Sequence, residues 1–260
     1  MTQMLMTGVD DSVAAPDQVQ PGARVMPDPL EVAPPDHVRQ DALLRKWQTR
    51  RRLGASYKIQ LAIKRCIDVV GAVLLLIITF PILCAVAVGV KLDSPGPVLF
   101  RQRRLGLNGR VFTLYKFRSM RADAEQLLRE NAYLYGLYVQ NGYKLPREID
   151  PRISRFGSFL RQTSLDELPQ LFNVIRGDMS LVGPRPIVEE EIREYGDRAS
   201  LFLSAKPGLT GYWQVSGRSN VGYPERVDIE LEYVVRWSLW LDLMILLKTP
   251  FAVLRRDGAY

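Results

Sequence analysis

The sequence predicts a helix-rich α+β protein anchored to a membrane. Three observations carry this. A 22-residue uncharged apolar run, Val69 to Val90, is long enough to enter or cross a bilayer. After Lys91 the composition turns soluble, and two short strand-like segments flank a Gly-Leu-Asn-Gly turn. The rest shows helical patterning broken by Pro- and Gly-rich stretches.

The chain divides into four parts. Residues 1–41 form an acidic tail with six prolines and no sustained periodicity, which reads as disordered. The tail lacks the basic and apolar regions of a secretory signal. Residues 42–65 are strongly basic, with Leu61 and Ile63 interleaved, and read as a juxtamembrane helix on an anionic surface. Residues 66–91 form the membrane element. Residues 92–260 form the soluble domain.

The apolar run would reach about 33 Å as straight helix, close to the ~30 Å hydrocarbon core. Pro81 sits at its midpoint, and both flanks are basic. A spanning helix usually carries its Lys/Arg excess on one side. Symmetric flanks suit a re-entrant hairpin that turns near Thr79-Phe80-Pro81. A kinked spanning helix fits the residues equally well.

In the soluble domain, Val98–Gln102 and Arg110–Phe117 read as a strand hairpin. Asp123 to Tyr138, Leu168 to Ile175 and Glu189 to Phe202 read as helices. Trp237 to Leu247 is nearly all apolar and begins with Trp237 and Trp240. It suits an amphipathic helix in the membrane interface, or a core helix.

Asp166 and Glu167 are adjacent, with Arg152, Arg155, Arg161, Arg176 and Arg185 around them in sequence. Adjacent carboxylates among guanidinium groups suit a divalent cation and a phosphorylated substrate. Asp166 as helix N-cap would place Pro169 at N3, where no intrahelical hydrogen bond is lost. A helix start would favour its ionised form. Arg185 lies between Pro184 and Pro186, on a stiff backbone. Lys116 and Arg118 alternate along a predicted strand and would share a face. Pro207 to Arg218 is a Gly-rich loop with aromatics that suits a base or a sugar.

Other chemistries are excluded. The sole histidine, His37, lies in the tail, so the body holds no Ser-His-Asp triad and no His-ligated metal. Cys66 and Cys84 are too few for a four-thiolate site. No P-loop or dinucleotide fingerprint is present. The net charge of +7 is the sum of about −4 over residues 1–40 and about +11 over the remainder. The positive excess is concentrated beside the apolar run, and no nucleic-acid motif accompanies it, so nucleic acid is not an expected partner.

Taken in order, these segments resemble the bacterial sugar transferase family, the monotopic phosphoglycosyl transferases. The motifs are Lys64-Arg-Cys-Ile-Asp68, Ser94-Pro-Gly-Pro-Val-Leu-Phe-Arg-Gln102, Lys116-Phe-Arg-Ser-Met120, Asp150-Pro-Arg152 and Leu160-Arg161. They continue with Ser164-Leu-Asp-Glu-Leu-Pro-Gln170, Met179-Ser-Leu-Val-Gly-Pro-Arg-Pro186, Pro207-Gly-Leu-Thr-Gly211 and Gln214-Val-Ser-Gly-Arg218. Each is weak alone; the ordered set is specific.

The resemblance implies transfer of a sugar-1-phosphate from a UDP-sugar to undecaprenyl phosphate, releasing UMP and initiating an exopolysaccharide or other surface glycan. Asp166 would be the nucleophile, carrying the phosphosugar covalently. Asp166 and Glu167 would hold Mg²⁺. Lys116, Arg161 and Arg185 would line the phosphate site, with Arg118, Arg152 and Arg218 in support. The resemblance favours the re-entrant hairpin, a catalytic domain on the cytoplasmic face of the bacterial inner membrane, and contact with membrane lipid. Glucose and galactose are the expected sugars, and a homodimer is left open. The alternative is a non-catalytic membrane scaffold of a polysaccharide assembly complex.

One position departs from the family. Some members carry Ser before the hairpin proline; here Phe80 precedes Pro81, and Thr79 offers the nearest hydroxyl. The N-terminal extension is too short for the four-helix membrane region of larger relatives.

Overall fold

The computed structural model describes residues 54–140, 145, 149–216 and 221–255. The tail (1–41), the first half of the basic segment (42–53) and Arg218 lie outside them.

Helix α1 runs unbroken from Gly54 to Asp93. The described part of the basic segment, 54–65, and the apolar run, expected as separate elements, are thus one helix that continues through Pro81. Thr79 does not satisfy the carbonyl of Ile77, the one whose helical donor Pro81 lacks. Its hydroxyl donates instead to Leu75 O at 2.6 Å, a back-bond of the kind that bends helices.

Both ends of α1 pack on the same domain. Ala72 is fully buried in the main core with Leu171, Val174 and Leu181. Val86 and Val90 form a second core with Phe117 and Leu160. Between them the helix is bare: Ile77, Ile78 and Phe80 are 65%, 70% and 63% exposed.

The basic residues near the start of α1 are engaged by protein. Arg65 donates to the carbonyls of Val174 at 2.6 Å and Ile175 at 2.7 Å. Lys64 donates to Val182 O at 2.9 Å and pairs with Asp242 at 2.6 Å. Asp68 accepts from Ser180 Oγ and Leu181 N–H, both at 2.9 Å.

The domain follows the predicted order. Strands β1 (Leu99–Leu105) and β2 (Val111–Phe117) pair antiparallel, Leu105 opposite Val111. At the turn, Asn108 and Gly109 take positive φ of 55° and 77°, which these two residue types tolerate. The expected helix over 123–138 is two helices, α2 (Ala124–Glu130) and α3 (Ala132–Gln140). Asn131 separates them in extended conformation, its side chain accepting from Leu134 N–H at 3.1 Å. Helix α4 (Arg155–Gln162) is capped by Ser154, whose hydroxyl accepts from Gly157 N–H. A 3-10 turn (Leu165–Glu167) leads into α5 (Gln170–Arg176).

Strand β3 (Ser180–Val182) pairs parallel with β4 (Gly208–Thr210). Between them the expected helix over 189–202 is a 3-10 stretch, Glu189–Arg198, and a short helix α6 (Ala199–Phe202). Gly196, at φ 48°, kinks the 3-10 stretch from within. Then come α7 (Tyr212–Val215), α8 (Glu225–Arg236) and α9 (Leu239–Arg255).

Helix α9 is two-faced. Asp242 and Ile245 are buried, while Trp240, Leu247, Phe251 and Leu254 are 58–78% exposed. The core reading describes one side of it, and the other side is apolar and exposed. Asp242 joins three elements: it accepts from Lys64, from Tyr233 Oη at 2.7 Å and from Trp237 Nε1 at 3.0 Å. Asp242→Ala would leave the part-buried Lys64 ammonium without its counter-charge. Denaturant unfolding in detergent should show a loss of about 3–5 kcal/mol.

Candidate active site

The cleft is assembled by β2, the 3-10 turn, and the loops around β3 and β4. It is open, about 270 Å³, and lined by Lys116, Glu167, Gln170, Arg104, Arg185 and Gln214 among others.

Asp166 does not cap a helix. The residue that opens the 3-10 turn is Ser164, in left-handed conformation at φ 55°. Helix α5 starts from Pro169 with no side-chain cap. The capping geometry read from the sequence is therefore absent. The tight turn instead carries Asp166 inward, to 7% exposure.

Burial changes its chemistry. Desolvation pushes the Asp166 carboxyl up to about 6, against the pull of Lys116 and Arg161, and the charge of Glu167 pushes it further. Glu167 goes the other way. Its partial burial is outweighed by Lys116, Arg185 and Arg104, which hold its carboxyl below the ordinary glutamate value. Lys116 Nζ donates to Glu167 Oε1 at 2.5 Å. Two neighbouring carboxylates thus have separated proton affinities, which favours separate roles.

Arg185 is delivered by a close backbone crossing. Gly183 N–H donates to Thr210 O at 2.9 Å and Gly208 N–H to Pro184 O at 2.8 Å. A Cβ on Gly183 would strike Lys206 O, and one on Gly208 would strike Gly183 N. Arg161 is held by Ser119, Nε to Oγ at 3.0 Å. Its guanidinium is made less basic by burial, while Asp166 and Asp150 act the opposite way.

Two predicted arginines lie elsewhere. The strand ends at Phe117, so Arg118 does not share the face of Lys116. It donates to Pro95 O at 2.7 Å, Ser94 O at 2.6 Å and Val90 O at 3.2 Å. It clamps the end of α1. Arg152 is buried in a two-pronged pair with Asp150, both contacts 2.7 Å, and lies over the Tyr138 ring. It approaches the site only through its field on Arg161.

Arg104, Gln170 and Gln214 were not foreseen. Arg104 is lowered to about 10, first by burial and then by Arg185, partly offset by Glu191. It donates to Pro186 O at 3.1 Å and Gln102 Oε1 at 2.6 Å. The hairpin register could have found it: Arg104 pairs with Phe112 and Phe100 with Lys116, so Arg104 and Lys116 share a sheet face. Gln170 and Gln214 carry no comparable signal.

Comparison with known proteins now decides the family. Residues 59–256 match the model of the bacterial sugar transferase. The chain belongs to the bacterial sugar transferase family. Among its relatives is an undecaprenyl-phosphate galactose phosphotransferase of Salmonella typhimurium, 48% identical over 201 residues. That alignment covers 76% of this chain and 42% of the Salmonella protein. The exopolysaccharide production protein ExoY of Sinorhizobium fredii is 43% identical over 199 residues, covering 76% of this chain and 88% of ExoY. A UDP-glucose:undecaprenyl-phosphate glucose-1-phosphate transferase of Xanthomonas campestris is 45% identical over 202 residues, covering 74% of this chain and 39% of the relative. The chain thus spans less than half the length of the Salmonella and Xanthomonas sugar transferases.

The raised Asp166 value has a consequence for stability. The folded carboxyl titrates near 6 and the unfolded one near 3.9. The folded state therefore holds the extra proton, and stability falls as pH rises through that window. Asp166→Asn removes this cost and should stabilise the fold by about 1–3 kcal/mol at pH 7. The gain should vanish by about pH 4, as read from unfolding curves at both pH values.

Proposed function

We propose that the chain transfers a sugar-1-phosphate from a UDP-sugar to undecaprenyl phosphate, the first step of an exopolysaccharide. The observation that carries this is Asp166, buried beside a Glu167–Lys116 pair and within the field of Arg161. The names of the relatives supply the substrate classes.

In the first step an Asp166 carboxylate oxygen attacks the β-phosphorus of the donor. A phosphorus–oxygen bond to Asp166 forms, and the bond to the bridging oxygen breaks. UMP leaves with that oxygen. Lys116, Arg104 and Arg185 face the cleft and offset charge gathering on the phosphate oxygens. In the second step a phosphate oxygen of the polyprenol attacks the same phosphorus. The bond to Asp166 breaks, the carboxylate is restored, and a polyprenyl-diphosphate sugar is released.

The donor set fits Mg²⁺, which takes one or two carboxylates plus substrate phosphates. Asp166 and Glu167 would hold it, and the low proton affinity of Glu167 keeps one ligand ionised. Bound there, the ion supplies charge neutralisation of the diphosphate. Chelation should stop UMP release.

The re-entrant topology belongs to the same proposal. Residues 64–72 and 83–90 of α1 each contribute side chains to the cores of one domain, and the stretch between them is largely bare. A spanning helix would separate those two ends by the thickness of a bilayer. With both ends on one face the whole domain lies on one side of the membrane, and the use of a nucleotide sugar assigns that side as the cytoplasmic one. The exposed apolar side of α9 gives a second lipid contact.

The deciding assay is UMP release in detergent from UDP-glucose, UDP-galactose and N-acetylated UDP-sugars. Asp166→Asn should lose about 10³-fold or more. Full turnover by that variant would sink the nucleophile assignment. Since only the ionised carboxylate attacks, kcat/KM should fall tenfold per pH unit below about 6. For topology, Ser56→Cys and Arg103→Cys, in a chain with Cys66 and Cys84 replaced by alanine, should label from the same side. Opposite-side labelling would overturn the hairpin.

A further inference from the structure

Arg104 lines the cleft, and protein acceptors hold its guanidinium. Nη2 donates to Gln102 Oε1 at 2.6 Å, and Nη1 is divided between Pro186 O at 3.1 Å and Glu191 Oε1 at 3.3 Å. Of these three partners only Glu191 carries a charge.

Glu191 is not part of the cleft wall. It belongs to a run of three glutamates that opens the 3-10 stretch. Glu189 and Glu190 are exposed, whereas Glu191 is partly buried. Both of its oxygens are engaged. Oε1 accepts from Val188 N–H at 3.2 Å as well as from Arg104. Oε2 accepts from Tyr223 Oη at 2.9 Å and lies 3.9 Å from Arg226 Nη1. Arg226 is itself fixed by the buried Glu230, Nε to Oε1 at 3.1 Å.

Capping the 3-10 stretch needs only the Val188 contact. The remaining contacts make Glu191 a bridge from a buried tyrosine and cation cluster to a cleft arginine. A carboxylate held on both oxygens has little freedom to turn, so it fixes the direction of the guanidinium it accepts from. It also meets an electrostatic need. Burial and then Arg185 work against the charge of Arg104, and Glu191 is the largest influence in its favour. Two guanidinium groups beside one cleft repel each other, and a counter-charge behind one of them offsets that repulsion.

We propose that Glu191 is a positioning residue for phosphosugar transfer, holding the Arg104 guanidinium at the cleft beside Arg185, and that Tyr223 and Arg226 hold Glu191 in turn. This rests on the reading of the cleft as the diphosphate site.

The test is a double-variant cycle on UMP release in detergent, with an unfolding curve for every variant. Glu191→Gln removes the charge and keeps an acceptor for Arg104 and Val188; its amide N–H can donate to Tyr223 Oη. Its kcat/KM should fall about tenfold, and that of Arg104→Gln at least as far. The double variant should stay within about twofold of Arg104→Gln alone, because the carboxylate then has no guanidinium left to place. A purely structural Glu191 predicts instead that the two losses multiply, which would overturn the proposal. Wild-type kcat/KM in either single variant would overturn it too. If Glu191→Gln does not fold, Tyr223→Phe takes its place in the cycle. It should lose about threefold, and nothing further in the Arg104→Gln background. A wild-type chain that releases UMP from no UDP-sugar would overturn the reading of the cleft, and this role with it. Multiplying losses in an active enzyme would overturn this role alone.

Discussion

The side-chain amide of Asn173 occupies the free edge of the two-stranded sheet, donating to Thr113 O at 2.7 Å and accepting from Tyr115 N–H at 3.1 Å. It is fully buried. Helix α5 is thereby docked against the strand that carries Lys116, within reach of the turn that carries Glu167. The main-chain carbonyl of Asn173 also accepts from Gly177, Asp178 and Met179 N–H. The same residue therefore ends the helix and turns the chain toward β3 and Arg185. The two halves of the cleft, Lys116 and Glu167 on one side and Arg185 on the other, are referenced to one amide. Buried polar groups specify geometry in this way because any other arrangement leaves them unpaired.

Within that frame the site works against its own stability. A carboxylate 7% exposed is costly to ionise. Of the cations that offset the cost, Lys116 is shared with Glu167, to which it makes a direct hydrogen bond. Asp166 feels Lys116 and Arg161 chiefly as charge. The result is an acid that is ionised at neutral pH and still poorly solvated. That combination favours a nucleophile, since less water must be shed before attack.

Much of this was legible in the sequence. The hairpin, the helix order and the carboxylate pair followed from local patterning and turn residues. The misreadings arose where a local rule had a tertiary competitor. Asp166 has the composition of a helix cap, yet Ser164 accepts a left-handed conformation and the turn rotates Asp166 into the interior. Arg118 alternates with Lys116 in sequence, but the strand ends one residue earlier and three main-chain carbonyls claim its guanidinium. Arg104 was readable from the hairpin register. Gln214 was not, since only the return of β4 beside β3 brings it to the cleft.

The basic start of α1 shows how one residue pattern can serve two ends. Lys64 and Arg65 suit an anionic membrane surface by charge alone. In the fold they donate to protein carbonyls and to Asp242 instead. Their positive charge therefore cannot be credited in full to lipid attraction. Its work is to fasten the first half of the helix to the core, as Val86 and Val90 fasten the second. With both halves fastened, the bare apolar middle of α1 is left to meet a bilayer, together with outward side chains of the halves such as Ile67, Val70 and Val88. How deep it reaches is then limited by the domain at its two ends, rather than by the length of the apolar run.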